Sequence, residues 1–261
     1  MDLGLHGKVA IVTGGGEGIG RAAAHRIAQE GGKVIIVGRR LEVLAAAAEA
    51  YPESIVPVAA DVGAAGTAER VVGAALERFG RVDILVNNAG TSFAKPFEQT
   101  TRADWDADFD VKIWGAMELI RAVIPQMRKV GGGRIVNVTS IAGRTPGAAS
   151  MPTSIARASG IALTKALSKD LAADNILVNT VCIGFIKSGQ HERRYARQGL
   201  TGEGQDLDAL YAEEAKRRQI PLGRVGEGSE AGDVIAFLAS DRASYVTGVA
   251  INIDGGVSPV G

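Results

Sequence analysis

The chain of 261 residues contains one cysteine, three histidines and no excess of either charge sign. Cys182 alone cannot form a disulfide within the chain, and one Cys with three scattered His provides no zinc-binding spacing. The 29 Lys and Arg residues balance 29 Asp and Glu residues, whereas nucleic acids and anionic membranes attract clustered positive charge. We therefore expect no metal site, no nucleic-acid partner, no membrane partner and a reducing compartment.

Long apolar runs are also missing, since none approaches the roughly 20 residues that cross a bilayer. The first residues, 1–4, are acidic and lead into a strand pattern, unlike the basic head and apolar middle of a signal peptide. Both features predict a cytoplasmic protein. Hydrophobic residues make up 46% of the chain, which is too many for a disordered protein and enough for a sizeable core.

Short β-branched runs alternate with Ala-rich stretches of helical length. Continuous apolar runs are typical of parallel strands buried on both faces, and their alternation with helices indicates βαβ units. The pattern predicts one α/β domain over residues 1–261, with a Rossmann-like, doubly wound parallel sheet. The predicted strands are 9–12, 34–37, 55–58, 84–86, 135–138, 176–178 and 250–253.

Residues 187–221 interrupt this pattern, because they have no strand-like run, carry many charges and contain one predicted helix, 207–219. A long segment late in a compact α/β domain is often a functional lid. We predict a lid over the ligand cleft, with a solvated surface excursion as the alternative.

A glycine-rich turn, TGGGEGIG at residues 13–20, follows the first predicted strand and leads into a helical pattern at 21–29. Glycines permit a tight turn and close approach to a pyrophosphate, while the N–H groups at the helix start face the negative charge. Strand, turn and helix together predict a dinucleotide site.

In this spacing the chain resembles the short-chain dehydrogenase/reductase family, and further matches extend along nearly its whole length. The matching segments, in family order, are 61–62, 87–90, Ser140, 184–188, 245–248 and 254–256. The resemblance implies a nicotinamide-dependent oxidoreductase of an alcohol/ketone pair, with a small-molecule substrate, which forms a homo-oligomer, either a tetramer or a dimer. The predicted cofactor-binding residues are Thr13, Gly14, Gly16, Gly18, Ile19, Gly20, Arg39, Asp61, Val62, Asn88, Ala89, Gly90, Arg157, Gly184, Ile186 and Ser188.

The choice between NADP and NAD depends on the end of the second strand. An acidic side chain there binds the ribose 2′-hydroxyl of NAD and repels a 2′-phosphate. This chain has Gly38, Arg39 and Arg40 instead, and Arg39 can pair with the phosphate. Arg40 has solvation as its simpler interpretation. Glu17 counts against NADP, because NADP-using relatives often have a basic residue there; NADP is favoured and NAD stays possible.

The family works through an Asn, a Ser, a Tyr and a Lys, and only the Ser is matched here. Thr153 stands 13 residues after Ser140, at the Tyr position, while Arg157 stands at the Lys position and Lys112 at the Asn position. A Thr hydroxyl does not titrate near neutral pH and Arg, with a pKa above about 12, stays charged. Arg157 can still bind ribose hydroxyls. The predicted catalytic residues are therefore Ser140, Thr153, Arg157 and Lys112.

Two functions follow from these replacements. In an enzyme, Ser140 and Thr153 hold the substrate oxygen, and Lys112 donates the proton after burial and Arg157 have lowered its pKa; His191 or Tyr195 of the lid are alternative donors. In a catalytically weak relative, NADP binding serves a sensor or a structural subunit.

Simpler structural roles stay open for several of these side chains. They are a solvated Lys112, a capping Ser140, surface positions for His191 and Tyr195, an apolar filler for Cys182, and core or subunit contacts for Trp105 and Trp114. The substrate is not identified by the sequence. Residues 91–97 and 144–151, with Phe93, Phe97 and Met151, indicate only a partly apolar pocket.

Overall fold

The computed structural model describes residues 2–197, 199–200 and 206–261. Strands and helices alternate along the described chain. The strands are β1 Val9–Thr13, β2 Lys33–Gly38, β3 Ile55–Ala59, β4 Ile84–Asn87, β5 Ala94–Lys95, β6 Gly133–Ser140, β7 Met151–Pro152, β8 Ile176–Ile183 and β9 Ala250–Ile253. The α-helices are α1 Gly18–Gln29, α2 Leu41–Ala48, α3 Thr67–Phe79, α4 Arg102–Phe109, α5 Gly115–Lys129, α6 Thr153–Asp170, α7 Gly189–Arg197, α8 Leu207–Arg217 and α9 Gly228–Leu238.

The main sheet is parallel throughout and has the strand order β3-β2-β1-β4-β6-β8-β9. The chain builds outward from β1 in one direction and from β4 in the other, so the two halves meet between these strands. All seven predicted strands are present, which confirms the doubly wound, Rossmann-like fold. Ligands of such sheets bind at the carboxyl ends of the strands near this switch point.

The apolar strands pack on both faces, as their continuous hydrophobic runs predict. In β1, Ala10 and Val12 point into one core cluster, and Val9 and Ile11 point into the other. Helices α1 and α9 cover the first face, and α3 and α5 cover the second. Because both faces of the sheet are covered by helices, a ligand can bind only at the loops that follow the strands.

Two features shape the region beyond the carboxyl edge. Between α4 and α5 the chain continues as a π-helical turn, Asp110–Trp114. Strands β5 and β7 form a small antiparallel pair in which Lys95 lies opposite Met151. The pair brings together the two segments, 91–97 and 144–151, that are predicted to line a substrate pocket.

The predicted lid, 187–221, contains two helices where the sequence analysis expected one. Helix α8 corresponds to the predicted helix, whereas α7 was missed; residues 198 and 201–205 of this segment lie outside the described residues. Both helices contribute to a third apolar cluster, which is formed by Phe185, Tyr195, Tyr211, Ala215, Ile220 and Val225. Across the described ranges, no helix combines the length and the apolarity of a membrane span.

Candidate active site

The glycine turn leads from β1 to α1 through a backbone cradle. Gly14 has φ of +64°, and a Cβ at Gly20 would collide with the carbonyl oxygen of Gly14. Glu17, the residue before α1, makes no side-chain hydrogen bond to the first turn of this helix. The N–H groups of that turn thus have no capping side chain and suit a phosphate, so the cradle fits the pyrophosphate of a dinucleotide.

The other predicted residues of this turn lie against its neighbours. An ideal Cβ at Gly16 would be 3.1 Å from Val43 of α2, and one at Gly18 would be 3.5 Å from Ser188. Ile19 packs against the core cluster on this side of the sheet. The turn is therefore enclosed by α2 and by the loop after β8.

Thr13 and Asn88 tie the turn to the end of β4. Thr13 Oγ1 accepts hydrogen bonds from the N–H groups of Asn88 and Ala89, both at 2.9 Å. Asn88 Nδ2 donates to the carbonyl oxygen of Thr13 at 2.8 Å. These bonds fix the distance between two loops that both border the predicted cofactor site.

At the far end of the turn, Glu17 bridges two arginines. Arg40 Nη2 lies 2.9 Å from Glu17 Oε1, and Arg193 Nη1 of α7 lies 2.8 Å from Glu17 Oε2. Arg39, directly after Gly38, is exposed. Arg40 is half exposed, in agreement with its predicted solvation, and it is also ion-paired with Glu17. The negative charge of Glu17 is thus compensated by two positive charges, those of Arg40 and Arg193.

The remaining predicted cofactor residues border the same edge. Asp61 is exposed after β3 and its Oδ1 accepts from the N–H of Gly63 at 3.0 Å. The carbonyl oxygen of Val62 lies close against Gly115, at the start of α5.

The loop after β8 begins at Gly184, where an ideal Cβ would be 2.6 Å from the Cα of Asp254. Ile186 is buried in the core cluster and pairs with Gly226 through its backbone. Ser188 Oγ accepts from the N–H of His191 at 3.4 Å. The loop therefore leads directly into α7.

Asp108, Lys112 and Thr153 form a buried triad. Lys112 Nζ donates to Thr153 Oγ1 at 2.9 Å and pairs with the carboxylate of Asp108; the Lys112 and Asp108 side chains are each 4% exposed. Thr153 Oγ1 donates to Asp108 Oδ1 at 3.2 Å and accepts from the N–H of Phe93 at 3.2 Å. The hydroxyl thus uses its donor and both acceptor positions. Lys112 is therefore not a solvated helix residue.

Three different elements build the triad. Asp108 comes from the last turn of α4, Lys112 from the π-helical turn and Thr153 from the first residue of α6. Asp108 was missed in the sequence analysis. Its signal is the spacing of four residues to Lys112, which places an acid and a base on one helix face. π-Helical turns are frequent at functional sites.

Arg157 lies one helical turn after Thr153 and donates from Nη1 to the carbonyl oxygen of Val138 at 2.6 Å. An ideal Cβ at Gly90 would be 3.3 Å from Arg157 Nη2 and 3.4 Å from Lys112 Cε, so both cationic side chains lie close against this glycine. Burial and, after it, the charge of Arg157 lower the pKa of Lys112, Asp108 opposes both effects, and the net pKa is about 8. Burial also lowers the pKa of Arg157.

Ser140 ends β6 and caps the short turn that follows. Its Oγ accepts from the N–H of Ala142 at 3.1 Å. This turn packs on α6, because an ideal Cβ at Gly143 would be 2.8 Å from the carbonyl carbon of Arg157. Ser140 therefore has the local capping role, and none of the hydrogen bonds described for it involves the triad.

A buried polar network lies beneath these residues. Asn87 Nδ2 donates to Asn137 Oδ1 at 3.0 Å, and Asn137 Nδ2 donates to Thr164 Oγ1 at 2.8 Å. A cavity of about 30 Å³ beside this network is lined partly by Lys112 and Arg157, and this is room for about one or two water molecules. The signal of this network in the sequence is an Asn within each of two apolar strands, and the network was not predicted from it.

Of the two alternative donors on the lid, Tyr195 is buried, so its predicted surface position is wrong, whereas His191 is half-buried. Tyr195 is 3% exposed and packs edge-on against Tyr211. His191 stacks on Phe185 with 4.2 Å between ring centroids, and burial, helped by Arg194, lowers its pKa to about 4. None of the contacts described for His191 or Tyr195 is with the triad.

The remaining singled-out residues divide between core and surface. Cys182 is fully buried, which confirms its predicted position. Trp114 is 55% exposed and does not pack in the core, whereas Trp105 Nε1 donates to Thr100 Oγ1 at 3.2 Å. Phe97 is also largely exposed. No group of three or more His, Cys, Asp or Glu that could hold a metal ion occurs within the described residues.

The sequence and the fold are similar to those of known oxidoreductases. The family model described as enoyl-(acyl carrier protein) reductase matches residues 14–258. The 3-oxoacyl-[acyl-carrier-protein] reductase FabG of Thermotoga maritima is 38% identical over 97% of this chain and 98% of its own.

Two solved structures extend the comparison. L-Sorbose reductase from Gluconobacter frateurii, complexed with NADPH and L-sorbose, has a TM-score of 0.92 at 31% identity and 100% coverage of both chains. An NADPH-bound short chain oxidoreductase from Pseudomonas aeruginosa PAO1, described as containing an atypical catalytic center, has a TM-score of 0.89 at 32% identity, with 97% of this chain and 98% of that chain covered.

Proposed function

The chain belongs to the short-chain dehydrogenase/reductase family, and on that premise we propose that it is an NADP-dependent oxidoreductase of an alcohol/ketone pair in which Lys112 is the proton donor. The observation that carries this proposal is the hydrogen bond of 2.9 Å from Lys112 Nζ to Thr153 Oγ1. The bond connects a lysine that can lose its proton near neutral pH to the position at which the family has its tyrosine.

The proposal includes an altered set of four catalytic residues. Lys112, Ser140, Thr153 and Arg157 stand where the family has Asn, Ser, Tyr and Lys. A pKa of about 8 leaves both forms of Lys112 populated near neutral pH, which suits a group that donates a proton in one direction and accepts it in the other. Arg157 cannot exchange protons and contributes charge and hydrogen bonds.

The residues of the glycine turn would hold the pyrophosphate, with Thr13 and Asn88 fixing its shape. Arg39 would pair with the 2′-phosphate, and Asp61 and Val62 would border the adenine. Asn88 to Gly90, Arg157 and the loop from Gly184 to Ser188 would border the nicotinamide ribose and ring. When bound, NADPH supplies a hydride to the carbonyl carbon of the substrate.

The chain's own residues then complete the reduction. The hydroxyl of Thr153 turns its hydrogen from Asp108 to the carbonyl oxygen of the substrate. It donates this proton to that oxygen as the carbonyl group is reduced to an alcohol. Lys112 Nζ replaces the proton at Thr153 Oγ1 and becomes a neutral amine. Asp108 holds the Lys112 ammonium in place before the transfer, and solvent restores the proton of Lys112 afterwards. Oxidation of the alcohol follows the same path in reverse.

A second candidate function rests on the hydrogen bonds of Thr153. Its hydroxyl already has two donors and one acceptor within the protein, so a substrate oxygen has to replace one of them. A chain in which this replacement does not occur binds NADP without turnover. It then serves as a sensor or as a structural subunit, for which the triad has only a structural role.

Titration with NADPH and NADH, followed by a turnover screen on ketones and secondary alcohols, tests both functions. Tight NADPH binding with turnover supports the enzyme, and tight binding without turnover supports the second function. If neither NADPH nor NADH binds, both proposed functions are contradicted.

We also propose that residues 187–221 act as a lid and that the protein is a cytoplasmic homo-oligomer. The contact between Arg193 of α7 and Glu17 of the glycine turn supports the lid. Exposed Trp114 and Phe97 suit a subunit contact. Limited proteolysis with and without NADPH tests the lid, and sedimentation analysis tests the assembly.

A further inference from the structure

The carboxylate of Glu17 lies between arginines from two distant parts of the chain. Arg40 follows β2, and Arg193 comes from α7 of the predicted lid, 176 residues away from Glu17. Both nitrogen-to-oxygen distances are below 3.0 Å, and both arginine side chains are about half exposed. The two arginines therefore share the single negative charge of one carboxylate.

This sharing affects the charge that is offered to a cofactor phosphate. Arg39, Arg40 and Arg193 with Glu17 give a local excess of two positive charges at the end of β2. Without Arg193, Glu17 would neutralise Arg40 alone and leave only Arg39 to attract a phosphate. A free 2′-phosphate carries a charge near −2. The charge of Arg40 therefore adds attraction to that of Arg39, and the carboxylate of Glu17 adds repulsion.

Resting on the proposed use of NADP, we propose that Arg193 is a positioning residue for cofactor discrimination, which acts through Glu17. By sharing the carboxylate, Arg193 leaves Arg40 able to turn to the 2′-phosphate beside Arg39. An acidic residue in the glycine turn then becomes compatible with NADP. NADH has no 2′-phosphate, so its binding does not depend on this sharing.

The test compares dissociation constants for NADPH and NADH, measured by fluorescence titration at low ionic strength. In Arg193→Met the ratio of NADH to NADPH dissociation constants should fall about three- to fivefold, the range of an exposed charge contact. NADH affinity itself should not change. Arg197→Met, an exposed arginine at the last residue of the same helix, is the matched control and should leave the ratio unchanged.

The double variant Glu17→Gln/Arg193→Met separates this mechanism from a general effect on the lid. Without the carboxylate, Arg40 is free whether or not Arg193 is present, so the double variant should regain the parental ratio. The loss in Arg193→Met should also shrink in 0.5 M salt, because exposed charges are screened within a few ångströms there. A packing defect would show neither the recovery nor the salt dependence.

Several outcomes would overturn the inference. It is contradicted if the ratio is unchanged in Arg193→Met, if both cofactors lose affinity equally, or if the double variant is no better than Arg193→Met. In each of these cases, an NADPH preference in the parent still supports the proposed function. A parent that prefers NADH, or binds neither nucleotide, contradicts the proposed cofactor and the inference together.

Discussion

Two charged clusters border the predicted cleft, and each combines one carboxylate with two cations in different surroundings. In the exposed cluster, Glu17 lies between Arg40 and Arg193, and these side chains are 32–51% exposed. In the buried triad, Asp108 pairs with Lys112 while Arg157 adds a second positive charge nearby, and the paired side chains are 4% exposed.

The difference shows that burial, rather than the number of charges, decides what a carboxylate does. At 4 Å a charge pair interacts by about 1 kcal/mol in water and about 4 kcal/mol at an effective dielectric of 20. Glu17 can therefore orient arginines at little cost and exchange one for another. Asp108 holds an ammonium that would otherwise be an unpaired charge in the protein interior, so its removal affects both folding and proton transfer.

The largest expected effect is on turnover in Lys112→Met. Removing the proton donor should lower ketone reduction by about two to four decades, while NADPH affinity stays nearly unchanged. In the parent, reduction should decrease as the pH rises above about 8, because Lys112 then loses the proton that it donates. Steady-state rates from pH 6 to 10 measure both effects.

Lys129→Met is the matched control, because Lys129 is an exposed lysine at the end of α5. It should retain the parental rate and pH profile. Full activity in Lys112→Met would assign proton transfer to His191, Tyr195 or water instead.

The next largest effect is on stability in Asp108→Asn. The amide keeps the size of the carboxylate but leaves the Lys112 cation without a counter-charge, which should lower the free energy of unfolding by about 3 kcal/mol or more. The same change should move the limb of the pH profile below its parental value, because Asp108 raises the pKa of Lys112. Urea unfolding at pH 7 and the pH dependence of turnover provide the two measurements.

Two variants control this result. Asp106→Asn removes a carboxylate of the same helix from an exposed pair with Arg102 and should change stability by less than about 1 kcal/mol. Asp108→Asn/Lys112→Met removes both buried charges and should be more stable than Asp108→Asn. Equal losses in the Asp106 and Asp108 variants would contradict the contrast between buried and exposed pairs.

A smaller effect is expected on cofactor choice in Arg39→Ala. Loss of a charge-assisted contact with the 2′-phosphate should weaken NADPH binding by roughly 1.5–3 kcal/mol, or about one to two decades, with little effect on NADH. Titration with both nucleotides measures it, and Arg70→Ala, an exposed arginine on α3, serves as control. Equal affinity of the parent for the two cofactors would remove the basis of the NADP proposal.

The sequence predicted the sheet because burial on both faces leaves an uninterrupted apolar run in each strand, as in Val34 to Val37. It also placed Lys112, Thr153 and Arg157 in one neighbourhood, through their spacing from recognisable motifs. Asp108 was not found, because it occupies none of the positions at which the family has catalytic groups. Its partner Thr153 is brought to it only by the packing of α6.

The lid was harder to predict for a different reason. Helix α7 is rich in charges, including Arg193, Arg194 and Arg197, and these hide the single buried position of Tyr195. The ring is covered by Tyr211 of a second helix, so no local pattern reveals its burial. Similarly, Glu17 counted against NADP because NADP-using relatives often have a basic residue there. Its pairing with Arg193 was not predicted, because the two residues are remote along the chain.

The smallest expected effect is on stability in Glu17→Gln, and it completes the comparison with Asp108→Asn. Arg40 and Arg193 are both half exposed and can be solvated after they lose their partner, so the free energy of unfolding should change by less than about 1 kcal/mol. Any loss should disappear in 0.5 M salt, whereas the loss in Asp108→Asn should persist, because ions do not reach a buried pair. Urea unfolding of both variants at low and high salt measures the contrast. A salt-resistant loss of several kcal/mol in Glu17→Gln would mean that the Glu17 cluster is part of the folding core, and Arg40 would then not be free to turn to a cofactor phosphate.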